Sequence, residues 1–290
     1  KAIGFGLAPR LNAAGRLREA MTSLDLLLAP DMKHALPLAQ ELNALNEERR
    51  NLTLNVQERA RELVVGRGEV PPLLFAASPD FPHGVVGLVA SRLLEEFYRP
   101  AVVVSIEDEW SKGSARSIPE FHITEALDTV RDLLRHHGGH SAAAGFTVAT
   151  ELLPELEARL IAVAREQLDG LTLSPTLYVD AEVPLASLSW EVYDALQRLE
   201  PFGYGNAEPL LVSRRVQVLD ARTVGAEGRH LKLRLADERG ITWDAIAFRQ
   251  GAWLAHLPRQ IDLAYHLEAN TWNDRVNLQL NVQDIHVSGV

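Results

Sequence analysis

No cysteine occurs in this 290-residue chain, which excludes disulfides, thiolate nucleophiles and cysteine-ligated zinc, and fits a reducing compartment such as the cytoplasm. Aromatic residues are few, at 6%, so base stacking cannot be spread over a wide surface. No apolar run approaches the roughly 20 residues that cross a bilayer, and no basic stretch leads an apolar segment as in a secretory signal. The opening Lys1-Ala2-Ile3 lacks an initiator methionine and reads as a start inside a longer protein. Positive charge is also short. Lys and Arg number 29 against 39 Asp and Glu, for a net charge of -10, which excludes a generally basic coat for nucleic acid. The deficit is uneven: residues 1–66 carry nine basic and eight acidic side chains, residues 67–172 nine and sixteen, and residues 173–290 eleven and fifteen. A few convergent arginines in a cleft remain compatible with a polyanion.

Length and a 47% hydrophobic content support two domains and a connector. Residues 32–65 contain no glycine and no proline after Pro37, with Leu38, Leu42, Leu45, Leu52, Val56 and Leu63 at broadly helical spacing, which predicts a long helix. Gly66-Arg67-Gly68 and Pro71-Pro72 then break the pattern. Alternating segments follow: strand 73–77, helix 85–97, strand 101–106, a strand-like 114–118, helix 124–136, strand 146–149 and helix 152–168, together an α/β domain. After Gly170, β-rich runs fall at 177–181, 210–219, 230–235, 242–248, 261–267 and 276–287. Helices are expected at 190–199 and near 250–256. This pattern suggests a small Greek-key barrel of the OB type, with another barrel or sandwich as the alternative.

Four stretches carry residue types suited to phosphate. Gly138-Gly139-His140, following Arg135-His136-His137, combines bare backbone amides with an imidazole; taken alone, an ordinary helix C-cap on two glycines is the plainer reading. GFGLAPRLNAAGRL, residues 4–17, offers Arg10, Asn12 and Arg16 as forked donors among small residues, or else a tight packing turn with solvated arginines. In Gly113-Ser114-Ala115-Arg116-Ser117, strand periodicity places Ser114 and Arg116 on one face, where hydroxyl and guanidinium can meet one phosphate; a solvated edge strand is the plain alternative. HGVVGLVASRL, residues 83–93, is an apolar helix opened by glycine, for which packing suffices. Of the later motifs, LEPFGYGNAEP (199–209) reads as a rigid turn or an aromatic loop, and NTWNDRVNLQL (270–280) as a hairpin turning at Asn273-Asp274.

These motifs, with the LNEERR stretch at 45–50 and in this order along the whole chain, resemble the C-terminal part of the RecJ family, single-strand-specific 5′-to-3′ DNA exonucleases of the DHH phosphoesterase superfamily. The resemblance implies the tail of a DHH domain at 1–30, a connector helix at 31–68, a DHHA1 α/β domain at 69–172 and an OB-fold barrel at 173–290. It implies that Arg10, Asn12, Arg16, Ser114, Arg116 and Ser117 contact nucleic-acid phosphate, with Ser114 and Arg116 at the 5′ phosphate, and that Gly138, Gly139 and His140 form the facing loop of a cleft. The chain lacks the family's Asp-His-His triplet, so the resemblance places the manganese or magnesium ligands and the catalytic residues in a DHH domain outside these residues. No metal set is expected here; His136, His137 and His140 are pointed in different directions. Implied partners are single-stranded DNA and, at family level, a single-strand-binding protein and a helicase, in DNA repair and recombination. Two alternatives stand beside this: a non-catalytic scaffold or nucleic-acid-binding protein of the DHH superfamily, and a relative of oligoribonucleases or cyclic-dinucleotide phosphodiesterases.

Overall fold

The computed structural model describes residues 2–66, 68–203, 205–272 and 275–288, the Trp272 side chain excepted. It divides into two compact units, Lys1–Pro175 and Thr176–Val290. None of the described helices is long and apolar enough to cross a membrane.

In the first unit a π-helical turn, Ala2–Leu7, runs into α1, Ala8–Leu17, so most of the glycine- and alanine-rich motif is coiled as helix and not a turn. α2, Met21–Leu27, leads to α3, Met32–Val65, whose start is fixed by the Asp31 carboxylate accepting the His34 amide at 3.0 Å. Leu42, Leu45, Val56, Ala60 and Val64 of α3 are buried.

A five-stranded sheet follows: β1 (Leu74–Ser78), β2 (Ala101–Ser105), β3 (Trp110–Arg116), β4 (Leu134–His140) and β5 (Ala143–Ala149), in the order β1-β2-β3-β5-β4. β1 and β2 are parallel, joined by α4, His83–Phe97; the other pairs are antiparallel. One face, carrying Leu74, Ala76, Ala101 and Val103, packs beneath α4 and α3. The other, carrying Phe75, Val102, Val104, Ala115, Phe146 and Val148, packs against α5, Ile123–Asp128, and α6, Leu153–Leu168. α1 reaches α4 at Gly84, where an added Cβ would stand 1.8 Å from the Arg16 carbonyl oxygen.

The helix expected at 124–136 ends at Asp128 instead. A 3-10 turn, Arg131–Leu133, leads directly into β4, whose residues 136–140 pair in antiparallel register with β5. Ladder pairing with β5 overrides the helical spacing of Leu127, Val130 and Leu133, all of which still face the core. Gly138 and Gly139 are therefore strand residues, and the helix-cap explanation for them does not hold.

The second unit opens with β6, reduced to Ala181–Glu182 where a longer strand over 177–181 is expected. α7, Trp190–Gln197, is capped by Ser189. β7 (Leu211–Val224), β8 (His230–Ala236), β9 (Thr242–Ala247), β10 (Gln260–Trp272) and β11 (Arg275–Val287) form a sheet ordered β10-β11-β9-β8-β7, closed by pairing of β10 with β7. The parallel β9–β11 pair within an otherwise antiparallel five-stranded barrel is the OB arrangement. Near 250–256 stands a 3-10 turn, Gly251–Ala255, rather than a helix. The hairpin tip at Asn273-Asp274 lies outside the described residues. Asp262 ties the barrel's closure: its carboxylate accepts the Arg215 amide at 2.8 Å, the Ser288 hydroxyl and Arg214 Nη1 at 3.3 Å. Burial pushes this carboxyl up, but these donors outweigh it and hold it below the ordinary carboxylate value.

Two stability outcomes follow from these contacts. Gly84→Ala destabilises the first unit by about 2 kcal/mol through backbone collision, whereas Gly145→Ala, whose Cβ meets only the Gly113 carbonyl oxygen at 3.8 Å, leaves thermal unfolding unchanged. Asp262→Asn lowers the melting temperature of the second unit by roughly 5 °C at neutral pH. Because the folded carboxyl titrates below the unfolded one, the wild-type advantage is complete above the unfolded range and disappears as pH falls through the folded value. Thermal melts of both proteins from neutral to acid pH check the convergence.

Candidate nucleic-acid interface

Register fixes which side chains of β3, β5 and β4 share a face. Arg116 lies opposite Ala143, and Ala143 opposite His140; Ser114 lies opposite Gly145, and Gly145 opposite Gly138; Lys112 lies opposite Thr147, and Thr147 opposite His136. Strand period two puts all of these on one side. The opposite side holds Gly113, Ala115, Ala144 and Phe146, with Phe146 filling the space a Cβ at Gly113 would occupy. The first side contributes none of these residues to a hydrophobic cluster among the described residues. It is exposed at His136, Gly138, His140 and Gly145, half-buried at Lys112, Ser114 and Arg116, and buried at Thr147.

Ser114 and Arg116 are held together on it. Arg116 Nη1 donates to Ser114 Oγ at 3.1 Å and to the Ala115 carbonyl at 2.8 Å. Burial lowers the Arg116 guanidinium from its ordinary value, and the Arg16 charge lowers it further, so two cations share a neighbourhood. α4 passes close by: a Cβ on Gly87 would meet Ser114 Oγ at 3.0 Å and Arg116 Nη2 at 3.1 Å. Arg16 Nη1 donates to the Gly84 carbonyl at 3.3 Å. The glycines of the HGVVG motif thus let one helix touch both Arg16 and the Ser114–Arg116 pair.

Other expected residues are placed differently. Gly139 is a packing position, since a Cβ there would come within 2.2 Å of the Ala143 carbonyl oxygen; Gly138 has nothing within 4 Å and exposes bare backbone. His140 is exposed, and its carbonyl accepts the Thr124 hydroxyl at 2.8 Å. Ser117 is buried and donates its hydroxyl to the Phe121 carbonyl at 2.5 Å, beneath the surface. Arg10 donates to Asn43 on α3 at 2.6 Å and to the Gly6 carbonyl. Asn12 is exposed one helical turn before Arg16.

Sequence reasoning missed three arginines. Burial lowers the Arg49 guanidinium most, followed by the charges of Arg16, Arg50 and Arg92. Arg49 and Arg50 come from α3 and Arg92 from α4. Among the described residues none of Arg16, Arg49, Arg50, Arg92 and Arg116 pairs with a carboxylate; Arg16, Arg49, Arg92 and Arg116 donate to Asn46, Gln57, Ser114 and backbone carbonyls. The available signal was the row Asn46, Arg49, Thr53 and Gln57 at helical spacing along α3, with Asn46 and Thr53 buried.

The three histidines do not converge. His137 bonds Asp128 at 2.8 Å, His136 bonds Thr147 at 3.0 Å, and His140 is exposed. Among the described residues no group of three or more His, Asp or Glu is placed to hold a metal ion. In the second unit the 199–209 loop is a tight turn, with Asn206 Nδ2 donating to the Leu199 and Pro201 carbonyls at 2.9 and 3.0 Å; Tyr204 lies outside the described residues.

Comparison with known proteins places this geometry in a family. The DHHA1 domain model matches residues 71–167 and the RecJ OB domain model residues 179–284. The chain is 35% identical over 290 residues to the single-stranded-DNA-specific exonuclease RecJ of Bacillus subtilis, covering 99% of this chain and 37% of that protein. It is 33% identical over 295 residues to RecJ of Escherichia coli, covering 98% and 51%. The chain thus spans between about a third and a half of these relatives. The crystal structure of RecJ from Thermus thermophilus in complex with Mn2+ superposes with a TM-score of 0.86 at 34% identity, covering 100% of this chain and 42% of that one. The corresponding Mg2+ complex gives 0.85 at 33% identity, covering 44% of that chain. With a DHHA1 domain, then an OB barrel, and similarity to these exonucleases along essentially its whole length, the chain belongs to the RecJ family.

Proposed function

We propose that this chain binds the 5′ end of a single DNA strand as part of a 5′-to-3′ single-stranded-DNA exonuclease. One observation carries the reading: Ser114 and Arg116 stand together, half-buried beside α4, within electrostatic range of Arg16 and with no carboxylate among the described residues paired to them. A 5′-terminal phosphate carries nearly two charges and three unshared oxygens, against one charge for an internal phosphodiester. The Arg116 fork takes two oxygens, the Ser114 hydroxyl turns from accepting Arg116 to donating to the third, and Arg16 adds charge. Bare backbone at Gly138 and Gly145 lets the strand lie close to the sheet, with His140 at its margin. Ser117 supports this grip from beneath through its bond to Phe121, and Arg10 and Asn12 contact backbone phosphate from α1.

Divalent metal is implied by the Mg2+ and Mn2+ complexes of the Thermus protein. The described residues offer no matching ligand cluster. We assign metal-dependent hydrolysis to residues beyond these 290, and this chain's own contribution is to hold and orient the strand. The RecJ OB domain favours this over an oligoribonuclease or cyclic-dinucleotide phosphodiesterase. A cytoplasmic location, and a single-strand-binding protein and a helicase as partners, belong to the same proposal.

Fluorescence anisotropy with matched 5′-phosphorylated and 5′-hydroxyl oligothymidylates tests it. The chain is expected to prefer the phosphorylated strand, and Arg116→Ala to lower that affinity about tenfold or more and abolish the preference. Equal affinity of the unaltered chain for both oligonucleotides contradicts the end-phosphate reading. With added Mn2+ or Mg2+, the chain alone is expected to release no mononucleotides; robust digestion contradicts the division of labour.

A further inference from the structure

The end-phosphate grip leaves Arg49 unexplained. Its Nη2 donates to Asn46 Oδ1 at 3.0 Å, yet its Nε–H is buried and has no partner. Buried N–H groups are nearly always satisfied, and an unpaired one on a cation is costlier than most. The neighbouring charges increase that cost, because Arg16, Arg50 and Arg92 all lie close enough to disfavour the Arg49 cation. Arg92 is fixed by donating to Gln57 Oε1 at 2.9 Å, eight residues along α3 from Arg49. Thr53, between them, donates its hydroxyl to the Arg49 carbonyl at 2.6 Å.

The arginines form two linked centres. Arg16 acts on Arg116 and also on Arg49, whereas Arg50 and Arg92 act on Arg49. We propose that Arg49 and Arg92 form a second phosphate subsite, for an internal phosphodiester of the same strand, with Arg16 shared between it and the terminal phosphate. The inference rests on the reading of Ser114 and Arg116 as the end-phosphate grip and extends it to the long helix. A phosphodiester supplies two oxygen acceptors and one negative charge. It satisfies the orphaned Nε–H once the guanidinium swings a short way outward, and it relieves the repulsion that Arg49 meets from three like charges. The Ser114–Arg116 site would then hold the end of the strand, while the α3–α4 site sets its direction.

The test uses the 290-residue chain and the same two oligothymidylates across a salt series. Arg49→Gln is expected to weaken binding of the 5′-phosphorylated and 5′-hydroxyl strands equally, by about tenfold, and to reduce the slope of log affinity against log salt by about 0.7. Arg59→Gln removes a cation from an exposed Arg59–Glu62 pair on the same helix and is expected to change neither quantity. Arg92→Gln supplies a second variant, expected to act in the same direction, should Arg49→Gln unfold. Unchanged affinity in both folded variants overturns the subsite. So does a loss confined to the 5′-phosphorylated strand, or an equal loss in Arg59→Gln. The two readings fail separately: equal affinity of the unaltered chain for both strands removes the end-phosphate grip, while a loss in Arg49→Gln on both strands still supports the second subsite.

Discussion

The close passage of α4 between α1 and β3 is the constraint on which the interface depends. Two positions on this helix lack side chains where others would collide: Gly84 against the Arg16 carbonyl, and Gly87 against Ser114 and Arg116. Val85, Val86, Val89, Ala90 and Leu93 press the helix into the sheet and α3. Burial of those aliphatic groups, each worth about 1.5 to 3 kcal/mol for a fully buried Val or Leu, supplies the force that holds charged groups near one another. Hydrophobic packing on one side of α4 therefore sets the positions of cations on the other.

Those cations oppose their own arrangement. Arg16, Arg49, Arg50, Arg92 and Arg116 lie within electrostatic reach of one another in linked groups, in a chain whose acidic residues exceed its basic ones by ten. Carboxylates elsewhere pair with arginines freely, as Asp132 does with Arg159 and Glu96 with Arg61. Among the described residues the arginine cluster has no such partner, so the polyanion proposed for this chain need not displace a bound carboxylate. Local potential, not net charge, governs such an encounter.

Much of this architecture was legible in the sequence, and the reasons differ by element. α3 was readable because thirty-four residues of helical spacing leave little room for another interpretation. A small β domain was readable from turn spacing, and the family resemblance selected the OB barrel over another barrel or a sandwich. The Ser114–Arg116 pair followed from strand alternation alone, a rule that needs no tertiary information. The β4 hairpin was not readable: Val130, Leu133 and Leu134 fit a helix as well as a strand, and only pairing with β5 decides. Residue type also leaves out how Arg10 and Ser117 are held within the fold, since their hydrogen bonds to Asn43 and Phe121 depend on tertiary packing. Arg49 and Arg92 were hidden because each lies in an ordinary helical pattern, and their relation appears only when α3 packs on α4.

The most direct measurement is a crystal structure of the chain with a short 5′-phosphorylated oligothymidylate. The account predicts the terminal phosphate bound by Ser114 Oγ and the Arg116 guanidinium, with Arg16 beside it. A terminal phosphate lodged on another surface, leaving Arg116 bonded only to Ser114 and the Ala115 carbonyl, would contradict it.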